Sequence, residues 1–297
     1  MNGFINVLKP PGMTSHDVIS FLRRTLGTKK IGHAGTLDPQ AAGVLPVCVG
    51  QATRLVEHLS ILNKEYLCRM TLGVISDTQD AWGTPIEYHD ASAVTLNDIQ
   101  RVLPLFSGEI TQTVPMYSAV KKGGVPLYKL ARQGKTAEPI LRQVSIDSLT
   151  LLEFQSPELA LLVDCSKGTY IRTLCHDIGH ALGTGAVMSF LLRTRVGSFH
   201  LEDSLTLEEI AQLKERAIEQ VNNKYLGLTC ITLPDEEINQ LKKGQSITYH
   251  ESTDGQTELE STLAILDRLG QLHILAILTH SDNAKYQLKP KKVFNLE

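Results

Sequence analysis

The sequence lacks the features that define several classes of protein. Its five cysteines are scattered and form no C-x-x-C pair, which argues against a disulfide scaffold and against a cysteine zinc site. No apolar run approaches the roughly 20 residues that cross a bilayer. The first residues, MNGFINVLKPPG, lack the basic stretch and apolar core of a signal peptide. We therefore expect a cytoplasmic protein whose cysteines are small core residues.

Motifs for nucleotides and metal ions are also missing. The glycine-rich stretch 32–43 does not have the spacing G-x-G-x-x-G, and no Walker lysine follows it. His176 and His180 stand four residues apart on a predicted helix, but the glutamate of H-E-x-x-H is absent. Ordinary helix residues are the better interpretation, and the sequence predicts no metal ion.

What is present is a chain that can bury a core but has little net charge. It has 297 residues, of which 42% are hydrophobic and 21% charged, with a net charge of −3. That sum alone counts against a nucleic-acid partner. The distribution of charge along the chain does not count against such a partner. Residues 1–54 hold six basic and two acidic residues, and residues 116–143 hold six basic and one acidic residue. Positive charge is therefore concentrated in two segments, and RNA remains a possible partner.

The order of strand-like and helical segments predicts the fold class. Alternation favours strands over 3–8, 44–49, 64–72, 143–154 and 159–165, and helical periodicity favours helices over 15–26, 95–106, 170–182 and 206–220. Ser15 is the predicted N-cap of the first helix. Strands and helices mix without a regular βαβ rhythm, so we predict an α+β fold with a mixed, mostly antiparallel sheet flanked by helices. After Ile231 short strands and turns predict a small β domain, 231–297, that follows a large domain, 1–230.

One carboxylate lies in an unusual setting. Asp38 follows Gly32 and Gly35, and Pro39 forces it away from helical backbone angles. The carboxylate is therefore expected at a sharp corner. The residues alone leave open whether Asp-Pro has a chemical role or only makes a turn.

Longer motifs around this corner resemble one enzyme family. Residues 30–39, KIGHAGTLDP, continuing through GVL at 43–45 to GQATR at 50–54, resemble the catalytic motif of the TruB-type pseudouridine synthases. Further segments fit the same family in the same order: NVLKPPGMTS at 6–15, KEY at 64–66 with DTQD at 77–80, PMYSAVK at 115–121, SKGTYIR at 166–172 and LRTRVG at 192–197. The segment from about Ile231 resembles a PUA domain, a small RNA-binding β barrel.

The resemblance implies a pseudouridine synthase fold and a specific reaction. The family isomerises uridine to pseudouridine at position 55, in the T arm of tRNA. The N-glycosidic bond is cut, the uracil rotates, and C5 rejoins the ribose with loss of the C5 proton. No atoms are added and no redox change occurs, so no cofactor is expected. The target base must leave its stack to be reached. The expected partner is the tRNA T stem-loop, and the enzyme is expected to act as a monomer without a protein partner.

The resemblance also assigns roles to individual residues. Asp38 is the catalytic carboxylate, and whether it acts as nucleophile or base stays open. Arg172 pairs with that aspartate, which would keep it ionised. Tyr66 stacks on the target base and takes part in moving the C5 proton. Tyr170 and Leu191 line the uracil pocket. His33 fills the space that the base leaves, and Lys9 with Pro10 supports the active-site loop.

Residues 116–143 resemble the flexible thumb of the family, which binds the T stem-loop. We name this segment the thumb, and its candidate RNA-binding residues are Lys121, Lys122 and Arg132. A solvated basic loop is the alternative interpretation. Two other functions also stay open. The chain could fold or escort tRNA without chemistry, or it could be a guide-RNA-dependent synthase, although it lacks the long basic extensions of those enzymes.

Overall fold

The structure, a computed structural model, describes residues 1–249, 259–280 and 286–295. Its strands are β1 (Gly3–Lys9), β2 (Ile31–His33), β3 (Ala42–Val49), β4 (Lys64–Leu72), β5 (Val74–Ser76), β6 (Pro85–Tyr88), β7 (Gly108–Thr113), β8 (Lys121–Lys122), β9 (Val125–Pro126), β10 (Leu141–Gln155), β11 (Glu158–Cys165), β12 (Ala186–Val196), β13 (Phe199–His200), β14 (Cys230–Thr232), β15 (Ile247–Tyr249), β16 (Thr262–Leu266), β17 (Leu272–His280) and β18 (Tyr286–Val293). The α-helices are α1 (Ser15–Thr25), α2 (Val56–Ser60), α3 (Leu96–Val102), α4 (Leu127–Arg132), α5 (Ile171–Ala181), α6 (Leu207–Leu213), α7 (Asn223–Leu226) and α8 (Asp235–Lys242). Short 3₁₀ helices cover Gly50–Leu55, Leu103–Phe106, Leu201–Asp203 and Lys214–Ala217. Within these described residues, no helix is long and apolar enough to cross a membrane.

The chain divides into two units. The first unit comprises Met1–Pro39, Val44–Leu62 and Gly197–Glu297, and the second comprises Gln40–Gly43 and Asn63–Val196. The predicted boundary at residue 230 lies inside the first unit, and the predicted domain division stays a prediction.

In the first unit, strands β1, β2 and β3 pack with helices α1 and α6 around an aliphatic core. The buried residues of α1 include Val18, Ile19 and Leu22, the apolar face that the sequence predicted. The predicted N-cap was wrong. Thr14 caps the helix, because its hydroxyl accepts a hydrogen bond from the amide of Asp17. The predicted helix over 206–220 was too long, since α6 ends at Leu213 and the chain continues in a 3₁₀ turn.

The C-terminal part of the first unit forms its own sheet. The strands lie in the order β14-β16-β17-β18-β15, with β14 and β16 parallel and the other pairs antiparallel. Helix α8 packs against this sheet, and Ile238 and Leu241 belong to its apolar core. The sheet fits the PUA-like β domain expected there. Residues 250–258, 281–285 and 296–297 of the predicted domain lie outside the described residues.

The end of this sheet is fixed to the segment that follows β3. Phe294 is fully buried, and the Arg54 guanidinium lies 5.1 Å from the centre of its ring. Arg54 also donates to the carbonyl of Val293, and the ammonium group of Lys292 donates to the carbonyl of Arg54 at 2.9 Å. These contacts join two parts of the first unit that lie far apart in sequence.

In the second unit, β12, β4, β11, β10 and β7 form an antiparallel sheet in that order. The first residues of β3 add a parallel pair, with Ala42 opposite Leu192 and Gly43 opposite Arg193. Helix α5 packs on β12 and β4, and its Leu174, Cys175 and Ile178 are buried. The predicted mixed, mostly antiparallel sheet flanked by helices is confirmed.

Candidate active site

The corner at Asp38 is held from both sides in the first unit. The buried ammonium group of Lys9 donates to the carbonyl of Pro39 at 3.0 Å, and the amide of Gly12 donates to the same carbonyl at 2.9 Å. On the other side, the amide of Leu37 donates to the hydroxyl of Ser15 at 3.0 Å. Asp38 itself is partly buried. Both neighbours of the carboxylate are thus anchored to residues 9–15, which fixes the direction from which Asp38 is presented.

His33 lies at the start of the same loop. It is the last residue of β2, is partly buried, and stands opposite Val47 of β3. The next amide, that of Ala34, donates to the carbonyl of Pro46 at 2.9 Å. The loop that carries Asp38 therefore begins at a residue whose backbone is held by the sheet.

In the second unit, Tyr66 lies on the central strand β4 among buried cations. It is 8% exposed and stands opposite Arg193 of β12, which is 1% exposed. Lys64 lies two residues earlier and thus on the same side of the strand. Burial, together with the charge of Arg193, lowers the pKa of Lys64 to about 8. Leu191, the candidate pocket residue, is buried on β12 opposite Cys68.

Arg172 lies in the first turn of α5 and is 4% exposed. Its Nη1 donates to the carbonyl of Thr78 at 2.9 Å and its Nη2 to the carbonyl of Tyr117 at 2.9 Å. The carboxylate of Asp80 lies 3.8 Å from Nη1. These contacts fix the plane of the guanidinium group, as a bidentate interaction requires.

Asp80 was not among the predicted site residues. Its Oδ1 accepts hydrogen bonds from the hydroxyl of Thr78 at 2.6 Å and from the amide of Trp82 at 3.1 Å. Its other oxygen faces Arg172. The motif DTQD at 77–80 was the available signal, but nothing in its spacing indicates which distant cation the last carboxylate meets.

Tyr170, the N-cap of α5, is held through its backbone. Its amide donates to Oε1 of Gln112 at 2.9 Å, and its carbonyl accepts from Nε2 of the same side chain at 3.1 Å. The Arg142 guanidinium lies 5.9 Å from the centre of the Tyr170 ring. Gln112 was also absent from the predicted site.

The thumb contains ordered elements, the hairpin of β8 and β9 and helix α4. Lys121 is exposed. Lys122 forms an ion pair with Glu138 at 2.9 Å. The exposed Arg132 guanidinium lies 5.6 Å from the centre of the Tyr128 ring. The candidate RNA-binding residues therefore differ in how far each is already engaged within the protein.

The paired histidines have no third metal ligand nearby among the described residues. In that part of the chain, no group of three or more His, Cys, Asp or Glu side chains could hold a metal ion. The rings of His176 and His180 lie 4.3 Å apart, edge to face. Burial and the charge of His180 lower the pKa of His176.

The predicted site residues fall in both units. Lys9, His33 and Asp38 belong to the first unit, and Tyr66, Tyr170, Arg172, Leu191 and the thumb residues belong to the second. Within the second unit, Gly43 and Tyr66 stand opposite Arg193 on its two sides. The pairing of Asp38 with Arg172 stays a prediction.

Comparison with known proteins identifies the family. The model of the TruB family pseudouridylate synthase N-terminal domain matches residues 23–171. The chain belongs to this family. The model of the tRNA pseudouridylate synthase B C-terminal domain matches residues 172–238. The family's reaction is uridine isomerisation in tRNA, and the prediction that the chain is an enzyme of this class, an isomerase, is confirmed.

Individual relatives support the same assignment, one of them over nearly the whole length. The tRNA pseudouridine synthase B of Carboxydothermus hydrogenoformans is 55% identical over 214 residues, covering 70% of this chain and 74% of the relative. That of Moorella thermoacetica is 44% identical over 304 aligned positions, covering 98% of each chain.

Solved structures support the predicted fold. A chain of the archaeal box H/ACA sRNP Nop10-Cbf5 complex aligns with a TM-score of 0.74 at 28% identity, covering 99% of this chain and 86% of that one. A chain of a Cbf5-Nop10-Gar1 complex aligns with a TM-score of 0.74 at 30% identity, covering 99% and 85%. The predicted pseudouridine synthase fold is thereby confirmed.

Proposed function

We propose that the chain converts uridine to pseudouridine at position 55, in the T arm of tRNA. The observation that carries this proposal is the fixed corner at Asp38. Both of its neighbours are hydrogen-bonded to residues 9–15, and the loop lies in the region that matches the family. A rigidly presented carboxylate suits a reaction in which one anionic group must meet one atom of the ring or the sugar.

The proposed reaction conserves all atoms of the nucleotide. The bond between N1 of uracil and C1′ of ribose breaks, the detached ring rotates, and a bond forms between C5 and C1′. The proton on C5 leaves and N1 gains one, so the product is an isomer of the substrate. Asp38 acts as nucleophile or as base in this sequence.

Other residues bind and orient the nucleotide in this proposal. Arg172 pairs with Asp38 and orients it, and the carbonyls of Thr78 and Tyr117 hold the guanidinium group in place. Tyr66 stacks on the uracil, which contributes roughly 1–3 kcal/mol to binding of a base, and takes part in moving the C5 proton.

The target base leaves the T loop before it reacts. Tyr170 and Leu191 line the pocket that receives the uracil, and the ring of His33 fills the vacated space. Unstacking a base costs a few kcal/mol, and a ring that stacks in its place offsets part of that cost. Lys9 supports the loop.

The thumb binds the T stem-loop through Lys121, Lys122 and Arg132. We also propose that the chain acts as a monomer in the cytoplasm, without a protein partner. Because it opens and recloses the T arm, it serves in addition as a tRNA folding chaperone.

The test is incubation of an unmodified tRNA transcript with the purified chain, followed by chemical mapping of pseudouridine at single-nucleotide resolution. The wild type should form pseudouridine at position 55 alone. Asp38→Asn should form none but bind tRNA with unchanged affinity. Asp203→Asn is the matched control, because this exposed carboxylate forms a surface ion pair with Lys224, and such pairs contribute little to stability.

Three results would contradict the proposal. Product at another position would reject the assigned site, and no product with the wild type would reject the activity. Normal product with Asp38→Asn would reject the role of Asp38. The chaperone role is tested separately, because Asp38→Asn should still accelerate refolding of a misfolded tRNA.

A further inference from the structure

We propose that Gln112 is a positioning residue for the isomerisation, because it holds the first turn of α5 in the place where Tyr170 and Arg172 meet the substrate. This inference rests on the proposed function. Gln112 is fully buried on β7, 58 residues before the N-cap that it contacts.

The contact is a two-point amide pair. Oε1 of Gln112 accepts from the amide of Tyr170 at 2.9 Å, and Nε2 donates to the carbonyl of Tyr170 at 3.1 Å. One side chain thus contacts both backbone groups of one residue, as a neighbouring strand would do, and the carbonyl of Tyr170 accepts in addition the first helical hydrogen bond, from the amide of Leu174 at 3.0 Å. Because both hydrogen bonds with Gln112 must form at once, the backbone at Tyr170 can neither rotate nor shift freely.

The start of α5 depends on this contact. Helices commonly begin at a residue whose side chain accepts a hydrogen bond from the first turn. At Tyr170, among the residues that the structure describes, no side chain makes such a cap. The backbone of the N-cap is instead fixed from outside the helix, by Gln112.

The same stretch of chain contacts the next residues of the helix. Immediately after Gln112, the carbonyl of Thr113 accepts from the hydroxyl of Thr173 at 3.4 Å. Farther along, the carbonyl of Tyr117 accepts from Nη2 of Arg172 at 2.9 Å. Gln112 is the fully buried, two-point member of this set, so it defines the position of the helix start relative to β7.

A positioning role predicts a specific kinetic signature. If Gln112 only orients Tyr170 and Arg172, its loss should lower the rate of the chemical step while leaving tRNA affinity largely intact, because the exposed thumb is untouched. A misplacement of about 1 Å can lower a rate by about 100-fold.

The experiment compares Gln112→Met with Thr111→Ala. Methionine has similar length and no hydrogen-bonding amide, and Thr111 is the exposed neighbour on the same strand. Single-turnover rates, tRNA affinity and the urea unfolding midpoint are measured for each. We expect Gln112→Met to fold, to bind tRNA within about threefold of wild type, and to react at least about tenfold more slowly. Its Tyr170 amide should also exchange with solvent faster, whereas Thr111→Ala should match wild type.

A second variant, Gln112→Glu, has a readout that a purely structural role would not move. A protonated carboxyl can both accept and donate, as the amide does, whereas an ionised one can only accept. The rate of this variant relative to wild type should therefore rise as pH falls through the pKa of the introduced group. If the ratio of the Gln112→Glu rate to the wild-type rate does not change with pH, the proposal is overturned. This test holds even if the Gln112→Met variant does not fold.

Two further outcomes are decisive. A folded Gln112→Met variant with a rate within about twofold of wild type would overturn the inference. A loss of tRNA affinity equal to the loss of rate would do so as well, because it would indicate a binding role. If the wild-type chain forms no pseudouridine, the proposed function itself has failed, and that result is read before any variant is compared.

Discussion

The ammonium nitrogen of Lys9 lies 3.0 Å from the carbonyl oxygen of Pro39, the residue that follows Asp38. The same nitrogen donates to the carbonyls of Pro10 and Met13 at 2.9 and 2.5 Å. A lysine ammonium group has three N–H donors, and these three carbonyls match them in number. This buried charge joins two stretches of backbone, the loop 10–13 and the loop that carries Asp38.

Substitution of Lys9 by methionine should therefore lower both stability and activity. The carbonyls of Pro10, Met13 and Pro39 lose a donor, although that of Pro39 keeps the amide of Gly12, and a buried polar group left unsatisfied costs roughly 1–3 kcal/mol. We expect urea unfolding to show a loss of about 2–4 kcal/mol. Lys29→Met, at an exposed site in the same unit, is the control. Equal midpoints for the two variants would contradict the role of Lys9.

Thr14 and Ser15 should separate helix capping from support of the loop. Thr14 caps α1, so Thr14→Ala should cost about 1 kcal/mol of stability and leave the isomerisation rate unchanged. Ser15→Ala removes the acceptor for the amide of Leu37 and should lower the rate. The measurements are urea unfolding and single-turnover kinetics. A Ser15→Ala variant with wild-type rate would show that this contact does not position Asp38.

Gly43 should tolerate no side chain, because β12 approaches its backbone too closely. A Cβ placed there would lie 2.2 Å from the carbonyl oxygen of Arg193, and its φ is +117°. Gly108, with φ +80° and no atom within 4 Å of its Cβ position, is the matched control in the same unit. We expect Gly108→Ala to cost about 1–2 kcal/mol through backbone strain and Gly43→Ala clearly more. Similar unfolding midpoints would contradict the close approach.

The thumb lysines should contribute unequally to RNA binding. Lys122 must give up its ion pair with Glu138 before it can reach a phosphate, whereas Lys121 is exposed. Lys121→Gln should thus lower tRNA affinity more than Lys122→Gln, and reduce the slope of log K against log salt by about 0.7–0.9. Glu138→Gln should tighten binding. The measurement is tRNA affinity across a series of salt concentrations. Weaker binding by Glu138→Gln would show that Glu138 does not compete with RNA phosphates for Lys122.

Asp177 should destabilise the folded chain near neutral pH. Burial raises its pKa to about 6 against a model-peptide value of 3.8, and the charge of the neighbouring His180 opposes this rise. Between these pKa values the folded state binds more protons than the unfolded state, so this group's contribution to stability falls as pH rises from about 4 to 6. Asp177→Asn should therefore raise the unfolding free energy at pH 7.5, by about 1 kcal/mol or more.

The gain from Asp177→Asn should vanish near pH 4, where the carboxyl is largely protonated in the folded wild type. The measurement is urea unfolding at both pH values. A gain that is equal at pH 4 and pH 7.5 would point to packing rather than to charge.

Periodicity predicted the elements whose local pattern agrees with their environment. The alternating segment at 64–72 became β4, and the capping pair Thr95 and Asp98 begins α3. The choice between Thr14 and Ser15 as a cap could not be made, since both residues are good caps and only the tertiary contact of Ser15 with Leu37 distinguishes them.

Residues that act through distant backbone had no signal in the sequence. Gln112 meets Tyr170 across 58 positions, and Arg172 meets the carbonyl of Thr78 across 94. A contact between a side chain and a backbone group places no demand on the identity of the second residue. The family resemblance marked the candidate reacting groups, whereas the side chains that hold the backbone around them became visible only in three dimensions.

The division of the first unit into separate segments has a consequence for synthesis on the ribosome. The second unit ends at Val196, whereas the first unit includes β18 and Phe294, which pack on Arg54 and its neighbours. Domains generally fold as units while the chain emerges. The second unit can therefore fold while translation continues. In the first unit, the contacts of Arg54 with the C-terminal sheet can form only after residues near 290 have been made, although Arg54 is among the earliest residues made.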